Sequence, residues 1–347
     1  MKDKNTKEQD FLFSYMGGYE PISNKVVDKK TSKKYINWGE DNKLPDYIWD
    51  SYLNCSNLQA VVNSVVDYTN GSSIDCDFIN YGDEDIKSVL SRCIFDLVLF
   101  GGFAVECIRS VNNKVSQVKY FNVMNIRIDE ELTTAYLSNQ WGSFGGKDTK
   151  TLPLYDGTNT QPHFIYYYRG AITRNINPVP MWFAAFKSVE VLNEARNYNL
   201  NNIRNNFNAN MVIALNGTTI KSSELEDIKE KLKGGYSGSD NAGKTLLINN
   251  TNSDGKVELL RLDSDKTVDL YKSVQESSID DIFVAFRINP MLVGINQQTG
   301  FNTQEFGDAF ALYNTTVILP LQKQVKDVFH KLGIEITINK FNIEWNE

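Results

Sequence analysis

Eight residues, Gly238-Ser-Asp-Asn-Ala-Gly243-Lys244-Thr245, match GxxxxGK[ST], the pattern of a phosphate-cradling loop, at every fixed position. In such a loop glycine amides surround the phosphates, the lysine reaches the terminal phosphates and the hydroxyl binds magnesium. That chemistry needs a strand before the loop and a helix after it, so that the helix N-terminus points at the anion. Here the order is reversed. Ser223 to Lys233 reads as a charged helix, and Thr245 to Ile248 as a strand. A Gly/Asn/Ser turn accounts for the match, and a soluble nucleotide-binding enzyme built on Gly238–Thr245 is the alternative.

Other chemistry is thinner. Asp280 and Asp281 are adjacent on an expected helix, so they point about 100° apart and form no acid–base dyad. His163 sits in an aromatic run, His163-Phe-Ile-Tyr-Tyr-Tyr168, and is expected to be a packed or surface histidine. No nucleophile elbow occurs. Cys55, Cys76, Cys93 and Cys107 lack CxxC spacing and read as free thiols; with two histidines in the chain, a structural zinc site is not expected. The reading is of a protein that is not an enzyme, with no catalytic residue, cofactor or metal.

The elements that would position these groups read as α+β. Apolar spacing gives helices at 44–52, 58–69 and 83–100, the last ended by Gly101-Gly102. Strands follow at 103–109, 115–121, 126–128, 134–137 and 163–168, with Asn112-Asn113 as a hairpin turn. A helix over 180–208 begins apolar and becomes Asn-rich. Short strands at 211–215, 245–248 and 257–262, with the charged helix between them, form a small insert. A second helix covers 267–286, and Pro290 and Gly294 stop it. The uncharged loop Ile295–Phe301 leads to a helix of about 30 residues, roughly 45 Å long. Asn302 is its expected N-cap, with Glu305 three residues on. Gly333 is the expected residue just past its end, and Pro320 is expected to kink it. Ile334 to Phe341 reads as a strand.

Composition narrows the function classes. Hydrophobic content of 41% with 12% aromatic residues in 347 supports folded cores. No stretch is long and apolar enough to span a bilayer, and the Lys-rich start has no apolar run behind it to make a signal peptide. A cytoplasmic site of synthesis, with no membrane partner, is expected. The net charge of −7 disfavours a monomer that grips DNA, because phosphate neutralisation needs a basic excess.

The order and wording of the second half resemble the portal (connector) proteins of long-tailed bacteriophages and prophages. The resemblance rests on Pro178-Val-Pro-Met181, Asn201-Asn-Ile-Arg-Asn-Asn-Phe207, Tyr236-Ser-Gly-Ser-Asp-Asn-Ala-Gly-Lys244, Ala285-Phe-Arg-Ile-Asn-Pro-Met-Leu-Val-Gly294, Thr299-Gly-Phe301 and Ile318-Leu-Pro-Leu-Gln322, in that order. It implies an N-terminal arm (1–43), the first part of a wing (44–179), a stem helix (180–208) and a clip (209–265). A second stem helix (266–289), a tunnel-loop region (290–301), a long kinked wing helix (302–333) and a tail (334–347) with a short or absent crown would follow. It implies a ring, typically of twelve copies, at one capsid vertex: the channel through which double-stranded DNA is packaged and ejected. Asn296, Gln297, Gln298, Thr299 and Gly300 would line the narrowest point. Glu224, Glu226, Asp227, Lys229, Glu230, Lys231 and Lys233 of the clip would border the docking surface. The implied partners are the terminase large subunit, a head–tail adaptor, and the major capsid and scaffolding proteins. The implied location is the virion, with assembly in the host cytoplasm.

Overall fold

The computed structural model describes residues 28, 34–142, 145–158, 160–170, 175–204, 211–216, 246–250, 258–261, 265–295 and 303–341. Mixed helix and sheet is what the apolar patterning predicts, and it is what is found. The chain divides into two compact units. Glu194–Gln275 belong to one, and the other described residues, up to Asn193 and from Glu276, form the second.

The second unit starts with helices α1 (Leu44–Asn54) and α2 (Ser56–Asn70), separated only by Cys55, whose extended backbone ends one and begins the other. Strand β1 (Ser73–Asp75) precedes α3 (Ile86–Phe100). The helix was expected to begin at Asp83. It begins three residues later because the carboxylate of Glu84 is committed elsewhere: it accepts from Tyr120 N at 3.1 Å and from Arg92 at 3.0 Å. Helix α3 stops where Gly101 turns left-handed at φ +83°. Substituting that glycine would place a Cβ 2.2 Å from the Val179 carbonyl oxygen, so both the turn and the close approach require it.

Strands β2 (Phe103–Arg109), β3 (Val115–Phe121), β4 (Ile126–Ile128), β5 (Thr134–Leu137), β6 (Trp141–Gly142), β7 (Gly145–Gly146), β8 (Lys150–Pro153) and β9 (His163–Tyr168) follow. They pair as β3-β2-β9, as β4-β5-β8 and as the hairpin β6-β7, all antiparallel. Asn113 takes φ +60° at the tip of the β2–β3 hairpin, as its turn role anticipates. Strands β6, β7 and β8 were not anticipated: β6 and β7 are two residues each and glycine-rich, and β8 has no apolar alternation.

Residues 34–43, expected as the end of an arm, are packed. Ile36 N donates to Ile128 O at 2.9 Å, and Trp38 and Asn42 are fully buried. The expected helix over 180–208 starts later, as a 3-10 turn (Phe183–Ala185) running into α4 (Phe186–Arg204). Trp182 is the reason: its indole is buried and donates to Leu99 O at 3.1 Å, which fixes the chain outside the helical path.

The first unit contains β10 (Met211–Asn216), β11 (Leu246–Asn250) and β12 (Glu258–Arg261) in the order β11-β10-β12. Strand β10 runs parallel to β11 and antiparallel to β12. Helix α5 (Asp265–Phe286) passes from this unit back to the second, as α4 passes out of it.

After α5 come a 3-10 turn (Pro290–Val293), α6 (Thr303–Tyr313), a π-helical segment (Asn314–Ile318), α7 (Leu319–Lys331) and β13 (Thr337–Asn339). Gly333, at φ +78°, closes α7 as expected: its N–H reaches His330 O and that of Ile334 reaches Phe329 O, each at 2.9 Å. At the expected kink site the helix carries a π turn. Pro320 opens α7 directly behind the π turn, in which Leu319 N reaches back five residues to Asn314 O. The larger core of this unit runs from Trp38 and α1–α3 to Val325, Phe329 and Ile338, and a smaller one gathers Ala104, Ile126, Ile128, Ala135 and Ile165. Strand β13 pairs with β1, tying the C-terminal strand to the start.

Candidate functional site

Residues Asn296, Gln297, Gln298, Thr299 and Gly300, the anticipated narrow point of a channel, lie outside the described residues, as does the expected cap Asn302. So do the clip residues Glu224, Glu226, Asp227, Lys229, Glu230, Lys231 and Lys233, and the Gly238–Thr245 loop. The described ends of these segments bear on the chemistry. Thr245 is followed at once by strand β11, so the helix that a phosphate-binding loop must feed is missing from that position.

The approach to the 296–300 segment is built in detail. Helix α5 ends at Phe286, and Arg287 takes the left-handed conformation at φ +56°, where glycine is the usual occupant. Arg287 N and Ile288 N then close the helix on Val284 O and Phe283 O. Asn289 caps the next turn, its side chain accepting from Met291 N at 3.0 Å. Gly294 turns left-handed again at φ +81°. The geometry is anchored from two sides: Tyr68 of α2 donates to Leu292 O at 2.5 Å, and Tyr313 of α6 donates to Phe286 O at 3.3 Å. Residues 287–295 thus form a platform held from two sides. Beside it, Arg287, Asn289, Asp308, Ala309, Leu312, Tyr313 and Thr316 line a groove of about 500 Å³.

Three polar clusters elsewhere are structural in their geometry. Arg127, on β4, is 1% exposed and donates to Asn42 O (2.9 Å), Met124 O (3.0 Å), Ile126 O (2.7 Å) and the Asn42 side chain. Its guanidinium lies near the rings of Trp38 and Trp141, and burial draws its pKa down to about 10. It clasps the 35–43 segment to the sheet. Asp96, on α3, is 2% exposed, accepts from Tyr120 Oη at 3.0 Å and, at 3.4 Å, from Val123 N. Burial outweighs these bonds and raises its pKa to about 8. His163 meets Glu106 across β9 and β2 at 2.6 Å, the partly exposed surface role expected of it. Sequence reasoning singled out neither Arg127 nor Asp96; a charge inside an apolar run was the available signal for each.

Asp281, dismissed as half of a dyad, accepts from Ser188 Oγ of α4 at 2.7 Å. The four cysteines are free thiols, and burial pushes Cys93 and Cys107 well above the usual thiol range. Among the described residues no group of three or more His, Cys, Asp or Glu side chains is placed to hold a metal ion. No described helix is long and apolar enough to cross a membrane.

The profile of the phage portal protein family matches residues 87–346. The chain belongs to that family. No curated protein matches the sequence. Among solved structures, the fold is similar to a chain in the neck of a native gene transfer agent particle computed with twelve-fold symmetry. There the TM-score is 0.54 at 14% identity, over 85% of this chain and 84% of that one. A chain from the virion of a native gene transfer agent particle matches with a TM-score of 0.55 at 13% identity, over 85% and 83%. One from the neck of an empty particle, computed with six-fold symmetry, matches equally well (0.55, 13% identity, 85% and 84%). None of these findings supports the nucleotide-binding alternative.

Proposed function

We propose that this chain forms a ring at one vertex of a virion and serves as the passage for double-stranded DNA during packaging and ejection. The observation that carries the reading is the family match over three quarters of the chain, joined to a fold shared along 85% of its length with particle-neck proteins. Residues 180–208 and 266–289 act as stem helices flanking a clip (209–265), and 302–333 as a wing helix. The segment Asn296–Gly300 narrows the bore. Its uncharged amide and hydroxyl groups touch phosphate or water without holding DNA fast, and a negative chain with no basic excess suits a passage through which DNA slides. The clip side chains Glu224, Glu226, Asp227, Lys229, Glu230, Lys231 and Lys233 border the surface for the packaging ATPase (terminase large subunit) and then the head–tail adaptor. Capsid and scaffolding proteins surround the wing. In this reading the chain itself hydrolyses nothing.

The test is the mass and shape of the purified full chain. Closed rings of about twelve copies with a central hole are expected by native mass measurement and electron microscopy. A monomer at all concentrations, stabilised by Mg-ATP, would overturn the reading, since a ligand that binds the native state raises its melting temperature.

A further inference from the structure

We propose that residues 76–85, between β1 and α3, are a strap that holds the outer edge of β3 closed to strand pairing with a second copy of this chain. Among the described strands β3 lies at the edge of its sheet, with β2 on one side only. The backbone groups that an edge strand turns outward form a template for another strand. On β3 they are already taken at residues 116, 118 and 120. Asn80 replaces a strand residue with its side chain: Oδ1 accepts from Val118 N at 3.0 Å, and Nδ2 donates to Val118 O at 2.8 Å. Tyr81 N donates to Ser116 O at 3.2 Å, and Glu84 Oε2 accepts from Tyr120 N at 3.1 Å. The strap is also fastened to itself and to α3. Asn80 Nδ2 donates to Glu84 O at 2.7 Å, and Glu84 Oε1 accepts from Arg92 at 3.0 Å. Gly82 lies so close over β3 that a Cβ there would meet Gln117 Nε2 at 2.6 Å.

Exposure alternates along the strap. Phe78, Asn80, Gly82 and Glu84 are partly covered, and Asp77, Ile79, Tyr81, Asp83 and Asp85 are exposed. The three outward aspartates place like charge on the outer side of the strap, so the straps of two copies repel one another. The edge beneath has the opposite character. Its run Val115-Ser-Gln-Val-Lys-Tyr-Phe121 is rich in β-branched and aromatic residues. Laid antiparallel on a second copy about Val118, it sets Val115 against Phe121, Ser116 against Tyr120 and Gln117 against Lys119. Apolar and aromatic side chains then meet, and no two like charges do. Val118 would offer its N–H and C=O to the Val118 of the other chain, the same two groups that Asn80 now occupies. Such a pairing is two-fold and closes on itself, so the two chains it joins leave every other route of assembly.

The test uses the full chain and two readouts: amide hydrogen exchange resolved by residue, and the anisotropy of a fluorescent synthetic peptide with the sequence of residues 113–123. In the wild type the Val118 and Tyr120 amides should exchange about a hundredfold or more slower than a free amide, and the peptide should not bind. Asn80→Ala should speed exchange at Val118 about tenfold or more and raise peptide affinity by a similar factor, with the amides of β2 as slow as before. Ile79→Ser with Tyr81→Ser keeps every backbone donor of the strap and should change neither readout. Wild-type amides at 118 and 120 that exchange like free ones overturn the strap, whether or not any variant folds. An Asn80→Ala chain whose Val118 amide stays slow overturns it too, as does one that opens there without gaining peptide affinity. Ring formation enters neither readout, so this proposal stands or falls apart from the ring.

Discussion

Asp96 offers the sharpest test of the core. Its carboxyl group is buried among α3, β3 and the turn after β3, with one hydroxyl and one distant amide as partners. Burial keeps the neighbouring Cys93 thiol and Tyr120 hydroxyl neutral, and the Arg92 guanidinium lies over the Tyr120 ring. Burial therefore lifts its pKa from the ordinary 3.8 to about 8. A group whose folded pKa is raised contributes its full stability below the unfolded pKa and loses it as pH rises through the folded one. The loss runs here from about pH 4 to pH 8. Each unit of separation is worth 1.36 kcal/mol, so at pH 7 keeping Asp96 protonated in the fold costs about 4 kcal/mol relative to pH 4.

Asp96→Asn removes that term. The amide oxygen still accepts from Tyr120, and the amide N–H₂ adds one donor to place, a fixed cost of about 1 kcal/mol. The offset between the two proteins is thus not the signature; its slope is. Measured by urea unfolding from pH 4.5 to 8.5, the variant should gain on the wild type by up to about 1.4 kcal/mol per pH unit, levelling off above pH 8. All other titrations are common to both proteins and cancel. A difference that stays flat across the range would mean that Asp96 ionises as an ordinary carboxylate and that water reaches it.

The other expectations are simpler. Gly101→Ala should cost more than about 2 kcal/mol, because both φ and the Val179 carbonyl oppose a Cβ, whereas Gly333→Ala, with φ +78° but open space around it, should cost only about 1 kcal/mol; melting temperatures separate the two. Arg127→Met should destabilise by about 3 kcal/mol or more, since three backbone oxygens lose the guanidinium and Asn42 Oδ1 is left with Trp38 N alone; limited proteolysis should then cut first near residues 35–43. Lys244→Ala should change stability by less than about 0.5 kcal/mol and leave DNA packaging intact; ATP hydrolysis that this change abolishes would restore the enzyme alternative. Gln297→Lys with Gln298→Lys should leave ring yield unchanged but alter the DNA length packaged per particle, most at low salt; wild-type lengths at every ionic strength would place the loop away from DNA.

What the sequence made legible was local. The helical stretches of α2, α3 and α5 follow from apolar spacing that a helix converts directly into one buried face, and Gly333 ends α7 through bonds within five residues. Pairings between distant segments carried no such signal. Strand β1 meets β13 across more than 260 residues, and its three residues have no pattern until the partner is present. The packing of residues 34–43 depends on Arg127 and Asn177, neither of which is near in sequence. Of the candidate site, the platform at Arg287–Gly294 was readable as a Pro/Gly stop. The groove beside it was not, because it forms between elements joined only through tertiary packing.

The π turn beside Pro320 also has its cause in the sequence. Pro320 by itself argues for a kink, since its ring blocks one helical hydrogen bond. The apolar spacing adds a second demand. Tyr313, Val317, Leu321 and Val325 are all buried, at three successive steps of four. In an uninterrupted α-helix each step of four overshoots the face by about 40°, so three would carry Val325 about 120° away from Tyr313. Widening one turn by a residue sets the face back by about 100° and brings the four side chains into line. The widened turn lies at Asn314–Ile318, where Leu319 N bonds to Asn314 O, and Pro320 follows where a first turn tolerates it. The spacing thus calls for an extra residue in the helix, and the proline fits just after it. The same adjustment keeps the buried face continuous from Phe306 to Leu332 and leaves the uncharged outer face, Leu312 included, on the solvent side.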